Sequence, residues 1–337
     1  QNGWLLQAAD GRLRSRMAEL ARETRYAKQR FAADDSARRP YVVRSLKLEV
    51  RDRDKPLRGR PVGETFAEIA QGAPAEEAQV LAALRDALAG MWGPGAGIAG
   101  FQARSLERML AAWRGAGQQT FVIAADTGSG KTEAAVLPLI VAAAADRLRG
   151  IRGVRAVMAY PRTRLAANQA QRLAGYLGAL ARQEGMPTVT MGLQFAQVPT
   201  TFVYADEGAG WRRQANGVWS FPFFACPSCS ADLLLHEREG VESADALRCT
   251  ACDWRYDGWV GTKEGLAESP PNLFLPTTDS LHQWLHNPRY GALFGDREGW
   301  AAPRAVLADE IHLYSHVHGA QVGYALRRLA ARGRGPQ

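Results

Sequence analysis

Residues 120–132, TFVIAADTGSGKT, are the strongest indication of the fold class in this sequence. Residues 120–124 are β-prone and mostly apolar, and they predict a buried strand. A glycine-rich loop, 125–132, follows directly, and the apolar run behind it predicts a helix over residues 131–147. A strand that passes through such a loop into a helix is typical of a phosphate-binding loop.

The residue types in this loop suit a magnesium nucleotide. Gly128 and Gly130 let the backbone turn its N–H groups toward phosphate oxygens, and the helix N-terminus adds a positive dipole. Lys131 would bridge the β- and γ-phosphates, and the Thr132 hydroxyl would reach Mg²⁺. The predicted loop contacts are Thr127, Gly128, Ser129, Gly130, Lys131 and Thr132.

Strands and helices alternate on both sides of the loop. The alternation runs over residues 101–182, stops after a strand at 188–191 and resumes at 272. This pattern predicts an α/β fold, a parallel sheet flanked by helices. We therefore predict a discontinuous domain, 73–192 and 272–337, with an insert at 193–271. Residues 1–72 form a mixed or helical extension, with a helix-prone stretch at 13–31 and a strand-like stretch at 41–50.

Two acids follow a second apolar run. Residues 305–308 predict a buried strand that ends in Asp309, Glu310 and His312. The carboxyl edge of a parallel sheet is where ligands bind. Asp309 is the second candidate Mg²⁺ ligand, Glu310 would orient and deprotonate water, and His312 is a further catalytic candidate. A solvated strand end is the alternative interpretation of these acids.

All four cysteines lie in two Cys-X-X-Cys pairs, formed by Cys226 with Cys229 and Cys249 with Cys252. This spacing predicts a closed, structural Zn²⁺ site of the zinc-ribbon type, and disulfide pairing is the alternative. Metal affinity of roughly 10–16 kcal/mol would supply much of the insert's folding energy.

Aromatic residues surround the cysteines. They could stack nucleic-acid bases or pack the insert against the rest of the chain, and we favour packing, with Trp211 and Trp219 exposed. The aromatic residues are Trp211, Trp219, Phe221, Phe223, Phe224, Trp254, Tyr256 and Trp259.

The balance of basic and acidic residues indicates which class of partner the chain binds. Lysine and arginine exceed aspartate and glutamate by 42 to 34, which gives a net charge of +8 and a pI near 9.6. A polyanionic partner is favoured, although a generally arginine-rich composition would give the same charge. The sequence contains no apolar run of about 18 residues, so we expect no membrane span and a cytoplasmic location.

In order along the chain, these motifs resemble superfamily 2 helicases of the DEAD/DEAH group, over residues 98–192 and 272–325. The resemblance implies a RecA-like fold, ATP and Mg²⁺ as cofactors, and nucleic acid as partner, with DNA favoured over RNA. It also implies that Gln102 contacts adenine, and that a cluster of residues contacts the nucleic-acid backbone. That cluster comprises Pro161, Arg162, Thr163, Gly192, Thr277 and Thr278.

The resemblance also implies a second RecA-like domain, which is not present before Gln337. We therefore expect a fragment that binds nucleotide with negligible turnover, because arginine fingers in such sites contribute about 10³–10⁵ in rate. The string at 309–329 and the cysteine insert resemble large bacterial antiviral-defence helicases such as the DISARM helicase subunit, with possible defence-system partner proteins. An ATP-gated nucleic-acid-loading adaptor and an ATPase that acts on protein are the alternative functions.

Overall fold

The structure is a computed structural model that describes residues 5–7, 11, 13–15, 17, 18, 20, 56–115, 117–126, 128–239, 244–314 and 316–332. The chain divides into two compact units, Gln1–Asp54 and Lys55–Gln337. In the first unit, strands β1 (Leu5–Gln7) and β2 (Leu13–Ser15) pair antiparallel. The helix predicted from residue 13 therefore begins as a strand instead. The strand predicted at 41–50 lies outside the described residues.

Nine of the described strands in the second unit form one sheet, in the order β13-β5-β12-β6-β11-β10-β9-β8-β7. The five strands from β13 to β11 are parallel, and the remaining neighbours are antiparallel. The strands are β5 (Ala156–Ala159), β6 (Met191–Gln194), β7 (Arg213–Ala215), β8 (Val218–Phe221), β9 (Leu233–His236), β10 (Asp245–Cys249), β11 (Arg255–Trp259), β12 (Leu273–Pro276) and β13 (Ala305–Ala308). Two short strands, β3 (Arg60–Pro61) and β4 (Gly97–Ile98), pair separately.

Helices cover both faces of the parallel strands. Along β5, Ala156 and Met158 belong to one apolar cluster, whereas Val157 and Ala159 belong to the other. The first cluster includes α1 (Val62–Gln71), α2 (Ala75–Trp92), α3 (Gly100–Arg114), α4 (Lys131–Leu148) and α5 (Thr163–Leu180). The second includes α6 (Lys263–Glu268), α7 (Thr278–Trp284) and α8 (His316–Arg332). The predicted α/β class, a sheet flanked by helices, is confirmed, although the complete sheet is mixed.

Two predictions about strands need correction. Residues 120–124 form no strand, and Val122 is 86% exposed. An apolar composition favours an extended backbone but supplies no neighbouring strand to pair with. The strand at Ala305–Ala308 is present, yet it is the outermost strand of the sheet and Val306 is 41% exposed. A strand at the sheet edge is covered less completely than the buried strand that was predicted.

The cysteine-containing insert continues the same sheet. Strand β11 pairs in parallel with β6 through Trp259 and Met191. Buried side chains of the insert, such as Leu247 and Tyr256, belong to the same apolar cluster as α4 and α5. No helix among the described residues combines the length and apolarity that crossing a membrane requires.

Candidate functional site

The phosphate loop has the backbone that its glycines predict. Gly130 precedes α4 with a φ of 92°, and Gly128 has a φ of 81°. The φ of Gly130 is one that residues with a side chain rarely adopt, and a Cβ there would also displace the amide of Gln102, so glycine is strongly favoured. Ser129 Oγ is buried and has no protein hydrogen-bond partner, as expected of a group that awaits a ligand. Thr127, a predicted contact, lies outside the described residues.

Gln102 contacts this loop directly. Its Nε2 donates to the carbonyl oxygen of Gly130 at 3.0 Å, and its Oε1 accepts from the backbone of Ala99 at 2.7 Å. The side chain is buried, at 4% exposure. Gln102 therefore joins the start of α3 to the loop, and its contact with adenine stays a prediction.

The acidic pair lies at the carboxyl end of β13. Glu310 has a left-handed φ of 51° and donates its backbone N–H to Asp309 Oδ1 at 2.9 Å. His312 Nδ1 lies 3.3 Å from Glu310 Oε2. Partial burial raises the pKa of Asp309, and the backbone N–H of Glu310 and the charge of Lys131 offset part of that rise. The two groups therefore lie close enough to interact, although 178 positions separate them along the chain (309 minus 131).

These residues fit a magnesium nucleotide. Mg²⁺ prefers hard oxygen ligands, which Asp309 and Thr132 offer. Phosphate is bound by a cation, which Lys131 offers. The unpartnered hydroxyl of Ser129 and the N-terminus of α4 add donors for phosphate oxygens. Glu310 is 37% exposed in its side chain, so solvent reaches the carboxylate that would accept a proton.

The residues predicted to contact nucleic acid include one exposed group. Arg162 precedes α5 and is exposed, whereas Pro161 and Thr163 beside it are partly buried. They follow β5, whose end lies beside the end of β13 through the Ala308–Ala159 pairing. This segment therefore belongs to the same edge of the sheet as the acidic pair.

The other three predicted contacts are buried. Thr277 caps α7, where its Oγ1 accepts from the backbone of Ser280, and Thr278 is 4% exposed. Gly192 lies within β6, where a Cβ would approach Leu266 Cδ2 at 2.5 Å. A packing role accounts for Gly192 and a capping role for Thr277. Their contact with nucleic acid stays a prediction that burial disfavours.

The four cysteines converge. The sulfur atoms of Cys226, Cys229, Cys249 and Cys252 all lie within 4.8 Å of one another, and none of the four is in a disulfide. The Sγ atoms of Cys226 and Cys252 are 3.7 Å apart, and those of Cys229 and Cys249 are 3.4 Å apart. Four thiolate ligands at such separations match a tetrahedral Zn²⁺ site with bonds of about 2.3 Å. The backbone N–H groups of Ser228 and Ala251 donate to the sulfurs of Cys226 and Cys249, at 3.4 Å and 3.3 Å.

The aromatic residues of the insert mainly pack. Trp211, which was predicted to be exposed, is 0% exposed and contacts Phe221 and Phe223 edge to face. This prediction was wrong because the ring fills the space between β8 and the 3₁₀ helix Phe202–Tyr204. Trp219 is partly exposed and stacks on Phe202.

One group beside the phosphate loop was not predicted. Glu133 Oε1 accepts from Tyr176 Oη at 3.1 Å and from Arg172 Nη1 at 3.2 Å. Tyr176 and Arg172 belong to α5, about forty positions further along the chain. No local pattern signals this contact, because a glutamate in a helix's first turn usually reflects the helix dipole alone.

Comparison with known proteins identifies one matching family. Residues 100–198 match the DEAD/DEAH box helicases. The structure is similar to that of Mycobacterium smegmatis helicase Lhr bound to ssDNA and AMP-PNP, with 20% identity and a TM-score of 0.44. That match covers 74% of this chain but only 23% of the Lhr chain. No curated protein matches the sequence. The matching segment, residues 100–198, runs from α3 through β6 and includes the phosphate loop.

Proposed function

We propose that this chain binds a magnesium nucleotide between the phosphate loop and the acidic pair, as part of an ATP-dependent superfamily 2 nucleic-acid helicase or translocase. The observation that carries the proposal is the buried Ser129 hydroxyl, which has no protein hydrogen-bond partner, in a loop whose Lys131 charge also acts on Asp309. Bound Mg²⁺ would neutralise phosphate charge. Asp309 and Thr132 would hold the ion, Lys131 would hold phosphate oxygens, and Glu310 would accept a proton from water.

Nucleic acid is the proposed partner of the same edge of the sheet. The family of residues 100–198, the charge of +8 and the exposed Arg162 beside the site support this assignment. We propose DNA, not RNA, as the nucleic acid, on the resemblance of the sequence motifs alone. A role in bacterial antiviral defence is proposed on sequence resemblance alone, and it extends the motor function without altering the site.

The nucleotide site is tested by titrating the chain with a fluorescent ATP analogue in Mg²⁺. We expect Lys131→Ala to weaken binding about tenfold or more, because hydrogen bonds to charged groups contribute about 1.5–3 kcal/mol. Arg147→Ala is the matched control, since Arg147 is an exposed cation at the opposite end of the same helix. Equal affinity in the Lys131→Ala variant and the wild type would refute the site, and so would loss of affinity in the control.

A further inference from the structure

One side of helix α5 packs closely against the two cysteine loops. A Cβ at Gly175 would lie 3.3 Å from Pro227 Cβ, and Pro227 stands between the cysteines of the first pair. A Cβ at Gly178 would lie 3.1 Å from the carbonyl oxygen of Arg255, just beyond the second pair. Gln171 Nε2 donates to the carbonyl oxygen of Ala225 at 2.9 Å. The spacing of these residues places them on one stripe of the helix.

An adjacent stripe of α5 contacts the phosphate-loop helix. Arg172 and Tyr176, one turn apart, both hydrogen-bond to Glu133 Oε1. Glu133 is two residues beyond Lys131, and its Oε2 lies 3.4 Å from where a Cβ at Gly130 would be. Tyr176 is buried, at 4% exposure, and Trp92 packs edge to face against its ring. Tyr176 therefore has little freedom to move, and its hydrogen bond to Glu133 restrains the phosphate loop.

We propose that the four-cysteine module is a buttress that fixes α5, and that Arg172 and Tyr176 position the phosphate loop through Glu133. Metal binding at the cysteines and nucleotide binding at the loop are then coupled, and Arg172 and Tyr176 are positioning residues. The inference rests on the proposed nucleotide site. Because the cysteine loops approach α5 closely at Gly175 and Gly178, a shift of the loops toward the helix would displace it.

The physical basis is the order that the metal imposes on two short loops. With Zn²⁺ bound, four thiolates fix the backbone around Pro227 and Arg255, which are the groups that meet α5. Without it, cysteine loops of this kind lose the bonds that hold them together. The glycine side of α5 then packs against a less ordered surface, and the hydrogen bonds to Glu133 lose their fixed geometry.

The test measures three quantities on the whole chain: zinc content, affinity for a fluorescent ATP analogue, and amide hydrogen exchange of residues 128–134. We expect a chelator that removes zinc to weaken nucleotide affinity about fivefold or more and to speed exchange in this segment. In Glu133→Ala the same treatment should change affinity little, because the connecting residue is already lost. Glu107→Ala, which removes an exposed acid from α3, should respond to zinc removal as the wild type does.

A variant that keeps its zinc provides a control, because removing zinc with a chelator could weaken nucleotide binding by unfolding the chain. Gly178→Ala keeps all four cysteines but crowds the carbonyl of Arg255. It should retain full zinc content, bind nucleotide more weakly and exchange faster at 128–134. Unchanged affinity and exchange in Gly178→Ala, or equal zinc sensitivity in Glu133→Ala and the wild type, would overturn the inference. Failure of the zinc-loaded wild type to bind nucleotide would instead refute the proposed site, while the exchange measurements would still test the coupling.

Discussion

At the scale of single residues, Asp245 shows how burial and hydrogen bonding compete. Its Oδ1 accepts from the backbone of Arg238 at 3.0 Å and its Oδ2 from that of Gly261 at 2.8 Å. The side chain is nevertheless so deeply buried that desolvation outweighs both donors and raises its pKa to about 6. Asp245 pairs across the sheet with Trp259, where the insert returns to the parallel strands. Asp245 therefore stabilises the segment in which the insert rejoins the parallel strands.

This raised pKa predicts how stability changes with pH. The folded chain holds the Asp245 proton more tightly than the unfolded chain, whose carboxyl titrates near 3.8. The contribution of Asp245 to the free energy of unfolding therefore decreases as pH rises from about 4 to about 6, by up to about 3 kcal/mol. Denaturant unfolding of the wild type and of Asp245→Asn at several pH values measures it. We expect the wild type minus variant difference to fall across that range, and a difference independent of pH would contradict the assignment.

At the scale of elements, the predictable features are those set by local pattern. Helix α4 was predicted to within one residue at each end, and β13 was predicted with its observed bounds. The position of the acidic pair beside the segment that begins at Pro161 was also predictable, because β13 and β5 are parallel and the carboxyl ends of parallel strands share one edge. The failed strand at 120–124 and the contact of Glu133 with α5 depend on partners that are distant in sequence. Hydrophobic pattern carries no information about such partners.

A buried ion pair joins two of these elements. Asp146 in the last turn of α4 accepts from Arg155 Nε at 2.8 Å, and Arg155 Nη1 donates to the carbonyl oxygen of Ala302 at 3.0 Å, ahead of β13. Both charged side chains are about 5% exposed, at 4% and 6%. The pair therefore fixes the phosphate-loop helix relative to the strand that carries the acids.

Removing one partner should be costly. We expect Arg155→Met to lower the free energy of unfolding by about 1–3 kcal/mol, because the buried Asp146 carboxylate keeps only Arg149 Nη1 at 3.2 Å and Trp113 Nε1 at 3.3 Å as side-chain partners. The double variant Asp146→Leu with Arg155→Met should recover much of that loss, since no uncompensated charge remains. Chemical denaturation measures both, with the exposed Arg147→Ala as a control expected within about 0.5 kcal/mol of the wild type. A double variant as unstable as the single one would contradict an electrostatic cause.

At the scale of the whole molecule, one sheet contains both the parallel strands and the antiparallel strands of the cysteine insert. The insert interrupts the strand-helix alternation, yet its antiparallel strands extend the parallel ones through β11 and β6. Its side chains share an apolar cluster with α4 and α5. A four-cysteine module that forms part of the same core would have, under the proposed coupling, a direct mechanical connection to the phosphate loop that a separately folded domain would lack.

The division of the chain predicts what its folding requires. Among the described residues, every member of the two apolar clusters lies at or after Val62, inside the unit Lys55–Gln337. A chain that begins at Lys55 should therefore keep its near-ultraviolet circular dichroism, zinc content and unfolding free energy, the last to within about 1 kcal/mol. A chain that begins at Gly72 loses α1 with the buried side chains of Val62 and Phe66, and it should lose about 3–5 kcal/mol or more. The two truncations differ by only seventeen residues (72 minus 55). If both truncated chains are as stable as the whole chain, α1 is not part of the core. If both fail to fold, residues before Lys55 are needed for folding.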